Sequence, residues 1–192
     1  MMRVIAGSFR SRPLEAPRGT ATRPTSDRLR ETLFNVLAPR IEGARFADLY
    51  AGSGAVGIEA ISRGADHVWF AENAPAALTA IRTNLSKLKI GGGYSIEDRS
   101  VAHLLRSLAK AGRPLDIVFL DPPYDDGEAY TTTLNLLARE HAAILAPGAV
   151  IIAEHQKKAP LADRYGTLDR IRILKQGDAA LSFYAVSGAS EL

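Results

Sequence analysis

The chain has 192 residues, 46% hydrophobic and 23% charged, with a formal net charge of +3. That balance fits a globular protein with its own core and excludes a disordered or fibrous one. The absence of cysteine excludes disulfides, zinc–thiolate sites and cysteine nucleophiles. His67, His103, His141 and His155 lie far apart without ligand spacing, so no metal is expected. No apolar run reaches the ~18 residues a membrane span needs. The longest candidate, 142–153, is broken by Pro147-Gly148. Residues 1–12 are Arg-rich without the apolar stretch of a secretory signal, and a cytoplasmic protein is expected.

In chain order, residues 3–25 hold Gly7, Pro13, Pro17, Gly19 and Pro24 and read as short β or irregular structure. Ser26-Asp27 starts a helix with Leu29, Leu33, Val36 and Leu37 at helical spacing, ended by Pro39. Strand and helix then alternate. Strands are predicted over 45–50, 67–72, 94–97, 115–120 and 149–154, and helices over 54–63, 75–88, 101–110 and near 128–140. Residues 171–175 and 181–186 flank Gly177-Asp178 as an antiparallel hairpin. This order predicts an α/β, Rossmann-like doubly wound sheet, mostly parallel, closed by the hairpin. Residues 1–44 form an N-terminal extension and 45–192 the main domain. Charge divides along similar lines: residues 1–45 carry nine arginines and four acids, a surplus of five, leaving 46–192 net negative by two. Such asymmetry points to a polyanionic partner or to a solvated basic tail.

After the first predicted strand comes Asp48-Leu49-Tyr50-Ala51-Gly52-Ser53-Gly54-Ala55-Val56-Gly57. Gly52, Gly54 and Gly57 match G-x-G-x-x-G in a strand–turn–helix context. Glycine there permits a sharp turn and close approach of a ligand. Glu72 ends the next strand, where a carboxylate can accept ribose hydroxyls. The pattern fits a nucleoside cofactor, either NAD or S-adenosylmethionine. Asp48 favours the second: an acid beside the glycines opposes a pyrophosphate but suits a charged amino-acid end. A loop hydrogen bond is the competing role for Asp48.

Asp121-Pro122-Pro123-Tyr124 follows the apolar run Leu115–Leu120. Two prolines fix the backbone and remove two N–H donors, leaving the Asp121 carboxylate and the Pro122 carbonyl as acceptors. An exocyclic amine has two in-plane N–H donors and a lone pair delocalised into its ring. Two acceptors on those hydrogens favour a pyramidal nitrogen that can attack a sulfonium methyl in line. Tyr124 is placed to stack on a flat base. The competing role for the segment is a rigid turn with a helix-capping Asp.

The glycine loop, Glu72 and DPPY together resemble the class I amino-methyltransferases. Arg3-Val4-Ile5-Ala6-Gly7, Arg10 and the run from Arg23 to Asn35 (RPTSDRLRETLFN) narrow the resemblance to the bacterial 16S ribosomal RNA (guanine-N2)-methyltransferases. The resemblance covers nearly the whole chain. It implies a seven-stranded sheet, S-adenosylmethionine as methyl donor with S-adenosylhomocysteine as product, and 16S RNA or the small ribosomal subunit as partner. Asp48, Tyr50, Gly52, Ser53, Gly54, Glu72 and Asn73 are the implied cofactor contacts, with Ser100 and Val101 near the adenine and Asp98 competing for that place. Asp121, Pro122, Pro123 and Tyr124 are the implied catalytic segment. Arg10, Arg12, Arg23, Arg28 and Arg30 are candidate phosphate contacts; Arg23 and Arg28 could instead form internal ion pairs. A monomer is expected. A DNA adenine or cytosine amino-methyltransferase would use the same chemistry, but the short chain leaves no room for the usual target-recognition insertion. A non-catalytic RNA-binding module with a remnant pocket would not need an intact DPPY.

Overall fold

Ser26 starts the first helix: its hydroxyl accepts the Leu29 N–H at 3.2 Å, and α1 (Asp27–Leu37) follows. The computed structural model describes residues 2–17, 25–123 and 126–188. The chain divides into two units, Met1–Ser100 and Val101–Leu192.

In the first unit α1 is followed by β1 (Arg45–Leu49), α2 (Ala55–Ser62), β2 (His67–Ala71), α3 (Pro75–Lys87) and β3 (Tyr94–Glu97). The strands lie in the order β3-β2-β1, parallel, as helical crossovers between them require. Phe46 and Leu49 of β1, Val68 and Phe70 of β2, Ile58 of α2 and Ile81 of α3 are fully buried. Phe34 of α1 stacks on Phe46 with ring centroids 6.3 Å apart. Trp69 is also buried, with His67 4.2 Å from it.

Residues 2–17 form an arm that folds back on itself. Arg3 and Pro13 make an antiparallel bridge, Ser11 N–H donates to the Val4 carbonyl at 2.9 Å, and Leu14 N–H donates to the Met2 carbonyl at 2.9 Å. The arm is fastened to α2. Glu59, on that helix and fully buried, accepts the N–H groups of Ile5 at 2.7 Å and Ala6 at 3.0 Å. Ser62 accepts Phe9 N–H on its hydroxyl and Ser8 N–H on its carbonyl. A Cβ at Gly7 would stand 1.8 Å from the Ser62 carbonyl oxygen, so only glycine permits this close docking.

The second unit holds α4 (Val101–Lys110), β4 (Leu115–Leu120), α5 (Gly127–Arg139), α6 (His141–Ile144), β5 (Leu145–Gln156), β6 (Arg164–Tyr165), β7 (Leu168–Gln176) and β8 (Ala179–Val186). Its strands run in the order β4-β5-β8-β7-β6. β4 and β5 are parallel, and the remainder is antiparallel, which is the predicted closing hairpin. Parallel and antiparallel pairing are thus mixed, and among the described residues the strands of the two units number eight rather than seven. The additional one, β6, has two residues and is too short to show an alternating pattern. β5 runs through Pro147-Gly148, where a break was expected. Pairing with β4 lapses there: Leu115 faces Leu145, and the next pair is Ile117 with Val150. Proline cannot donate to the ladder, and the strand continues around the gap as a bulge.

His155 is held on both sides of its ring. It lies inside β5, buried, with Nε2 2.8 Å from the Ser182 hydroxyl and Nδ1 2.9 Å from the Gln156 carbonyl. Burial pushes its pKa below 6.5 against the pull of the two carbonyls at Nδ1, and it acts as a neutral cross-strand tie. Among the described residues no helix is long and apolar enough to cross a membrane.

Candidate functional site

The glycine loop is built by the end of β1 and the start of α2. Tyr50 takes φ 62° and is followed by Gly52 at 55° and Gly54 at 75°. The chain therefore reverses through left-handed conformations that glycine accepts without strain. The three glycines serve different ends. A Cβ at Gly57 would meet Phe70 Cε1 at 2.3 Å, so that glycine lets α2 pack on β2. A Cβ at Gly54 would touch Ile81 and Phe70. At Gly52 nothing lies within 4 Å, so this part of the loop has open space beside it. Gly54, the residue before α2, provides no side-chain cap; in the first turn the Gly57 N–H is taken by the Asp48 carboxylate.

Glu72 organises the loop from the end of β2. One carboxylate oxygen accepts Gly52 N–H at 2.8 Å; the other accepts Asn73 N–H at 2.8 Å and Ala74 N–H at 2.9 Å. Three donors occupy most of a carboxylate's roughly four lone-pair sites. One ribose hydroxyl can therefore join them, whereas accepting two requires Gly52 N–H to give way.

Asp48 is 2% exposed, and its Oδ2 accepts Gly57 N–H at 2.8 Å. It thus fulfils the loop hydrogen-bond role. Burial pushes its pKa up to about 8; the Gly57 N–H opposes this and the Glu72 charge adds to it. The native state therefore binds this proton more tightly than the unfolded chain, whose carboxyl sits near 3.8. Its stabilising contribution is complete below that value and is lost as pH rises to about 8. Asp48→Asn should accordingly become progressively more stable relative to wild type across that interval. Urea unfolding at pH 5, 7 and 8.5 measures the difference, and a pH-independent gap would show that Asp48 is not held protonated.

Asn73 is exposed and Ser53 is 7% exposed. Ser100 is exposed, Val101 is half-buried, and Asp98 lies 4.0 Å from Arg82.

In the second unit Asp121 directly follows β4, half-buried, with Pro122 buried and Pro123 exposed. Asp126 N–H donates to the Pro123 carbonyl at 2.9 Å, and the Asp126 side chain caps α5 through Ala129 N–H. Helix capping belongs to Asp126. Tyr130, buried on α5, was not singled out by sequence reasoning. Its hydroxyl donates to the Glu154 carbonyl at 2.7 Å and lies 3.4 Å from the Pro122 carbonyl. A carbonyl oxygen has two lone pairs, so Pro122 retains acceptor capacity beside this contact. Tyr130 shares a core stripe with Leu134 and Leu137, so its spacing marks burial and gives no sign of the hydroxyl's position. Tyr124 lies outside the described residues.

The arginines separate by burial. Arg10, Arg12 and Arg28 are exposed. Arg23 lies outside the described residues. Arg30 is fully buried: Nη2 donates to the Arg3 carbonyl and to Asp27 at 2.9 Å, and Nε stands 3.9 Å from Glu59. Burial pushes its pKa below the usual arginine value, against the attraction of Asp27 and Glu59. With its side chain in the interior, Arg30 has no route to a phosphate; it holds α1 to the arm. Among the described residues no group of ligating side chains could hold a metal.

A family model described as Conserved hypothetical protein 95 matches residues 2–185. Ribosomal RNA small subunit methyltransferase D of Escherichia coli K12 is 41% identical over 155 residues, covering 81% of this chain and 75% of the relative. The Bacillus subtilis protein YlbH is 34% identical over 187 residues, covering 97% of this chain and all of the relative. The solved structure of yhhF from Escherichia coli superposes with a TM-score of 0.78 at 35% identity, covering 98% of this chain and 99% of that one.

Proposed function

The chain belongs to the Conserved hypothetical protein 95 family, alongside ribosomal RNA small subunit methyltransferase D; from that premise we propose that it methylates the exocyclic N2 amine of one guanine in 16S ribosomal RNA. The observation that carries the reading is the Asp121-Pro122-Pro123 turn at the end of a buried parallel strand, its Pro122 carbonyl still able to accept. S-adenosylmethionine supplies the electrophilic methyl on its sulfonium sulfur.

The first unit fits that cofactor by its open loop at Gly52 and the Glu72 carboxylate at the ribose position. Tyr50, Ser53 and Asn73 flank that position, and Ser100 and Val101 meet the adenine. Asp48 holds the loop through Gly57 and faces the amino-acid end of the cofactor. In the second unit Asp121 and the Pro122 carbonyl each accept one hydrogen of the amine, and Tyr124 stacks on the base. The nitrogen lone pair forms the new N–C bond as the methyl C–S bond breaks. The proton released from nitrogen passes to Asp121 or to water. Pro123 keeps the turn rigid.

The exposed Arg10 and Arg12 contact RNA phosphates, as do Arg23 and Arg28. Replacing Arg10 and Arg12 by Ala should weaken RNA binding and lower the slope of log affinity against log salt by about 1.5–2. Filter binding across salt concentrations measures it; an unchanged slope means the phosphates are met elsewhere.

The test of the function is transfer of radiolabelled methyl to 16S RNA, offered as naked RNA and as small subunits lacking the modification. N2-methylguanosine as the labelled nucleoside supports the reading, and label in another nucleoside overturns it.

A further inference from the structure

Asn84 is fully buried on α3 and uses its side-chain amide on two separate parts of the first unit. Its Oδ1 accepts Glu15 N–H at 2.8 Å, and its Nδ2 donates to the Glu15 carbonyl at 3.0 Å. The same Nδ2 donates to the Ser53 carbonyl at 3.0 Å, between Gly52 and Gly54. One amide therefore grips both backbone groups of the arm's last turn and one carbonyl of the cofactor loop. A second contact runs alongside, the Ser53 hydroxyl 3.5 Å from Met2 Sδ. Glu15 itself lies at the surface, paired with Lys87.

We propose that Asn84 is a positioning residue coupling the N-terminal arm to the cofactor loop, so that a seated cofactor stiffens the arm that meets RNA. The proposal rests on the reading in which the arm contacts RNA. A ligand against the loop fixes the Ser53 carbonyl, which fixes the orientation of the buried amide. The amide in turn fixes Glu15 and the end of the arm. Ordering required for one ligand is then already accomplished for the other, and the coupling is reciprocal. A buried Asn that merely filled the core would need partners, but not partners from both functional segments.

The experiment uses S-adenosylhomocysteine as probe and two pairs of proteins. Asn84→Ala removes the amide. Glu15→Pro removes the N–H donated to Asn84 Oδ1, keeps the Glu15 carbonyl and changes no residue of α3 or the loop, so it weakens the link and carries the test if Asn84→Ala is poorly folded. Glu15→Ala loses the Lys87 pair and keeps the backbone N–H. Amide exchange at Val4, Ser11 and Leu14, whose N–H groups close the arm, should slow about 5–10-fold with saturating S-adenosylhomocysteine in wild type and Glu15→Ala. The slowing should be lost in Asn84→Ala and reduced in Glu15→Pro, which keeps the carbonyl that Asn84 Nδ2 meets. Absence of the effect in wild type, or its full persistence in Glu15→Pro, overturns the coupling. Affinity for 16S RNA should rise by the same factor with the probe in wild type and by less in these two variants. RNA that binds neither with nor without the probe would defeat the substrate reading alone, since the exchange measurement needs no RNA.

Discussion

Asp121→Ala should lower kcat for methyl transfer by about 10³-fold or more while leaving S-adenosylmethionine affinity within about twofold. The magnitude is that of removing a preorganised charged group from a developing charge. In the proposed mechanism positive charge would accumulate on the amine nitrogen as its lone pair is drawn towards the methyl group, and the carboxylate would both hold one N–H and stabilise that charge. Pro122 offers a second acceptor, but its carbonyl is neutral and cannot replace a carboxylate. The cofactor loop belongs to the other unit and has its own anchors, Glu72 and Asp48, hence the expected separation of kcat from cofactor affinity. Asp121→Asn keeps an acceptor of the same shape without the charge and should fall between. Single-turnover transfer and calorimetric cofactor titration check both halves. Near wild-type turnover in Asp121→Ala would remove this residue from the mechanism.

Glu59→Ala should destabilise the protein by about 3–5 kcal/mol, the range for removing one partner of a buried charge pair, with a fall in Tm of roughly 10 °C. Glu59 and Arg30 are both fully buried. Glu59 accepts two arm N–H groups and Arg63 Nε at 2.7 Å. Its loss strands those donors and leaves Arg30 with Asp27 as its remaining acid contact. Among the described residues Arg30 Nε and Nη1 already have no hydrogen-bond partner, so little there is available to compensate. The arm should loosen first, because Ile5 and Ala6 lose their acceptor. Arg30→Met in the Glu59→Ala background should recover part of the loss, since the stranded cation is then gone. Urea unfolding of the single and double variants measures this. A Glu59→Ala loss under 1 kcal/mol would mean that water replaces the carboxylate.

The alternation of strands and helices was legible because buried parallel strands such as Leu115–Leu120 read as unbroken apolar runs, and helices such as Asp27–Leu37 carry a cap and an apolar stripe. The glycine loop and the Asp-Pro-Pro turn were legible because backbone reversal and loss of N–H donors are properties of the residues themselves. Tertiary structure decided what depends on distant partners. Arg30 reads like its neighbour Arg28, yet a shift of two positions on a helix turns one inward to the Arg3 carbonyl and leaves the other at the surface. Asp48 reads as a cofactor contact or as a loop hydrogen bond; only the fold shows the bond to Gly57 N–H and the burial that raises its pKa. Tyr130 and Asn84 carry no motif, because each acts through carbonyls brought near it only by folding. Sequence thus specified local backbone geometry and the chemistry available. Desolvation and long-range hydrogen bonding, which exist only once the chain is folded, decided which of those groups stay free to meet a ligand.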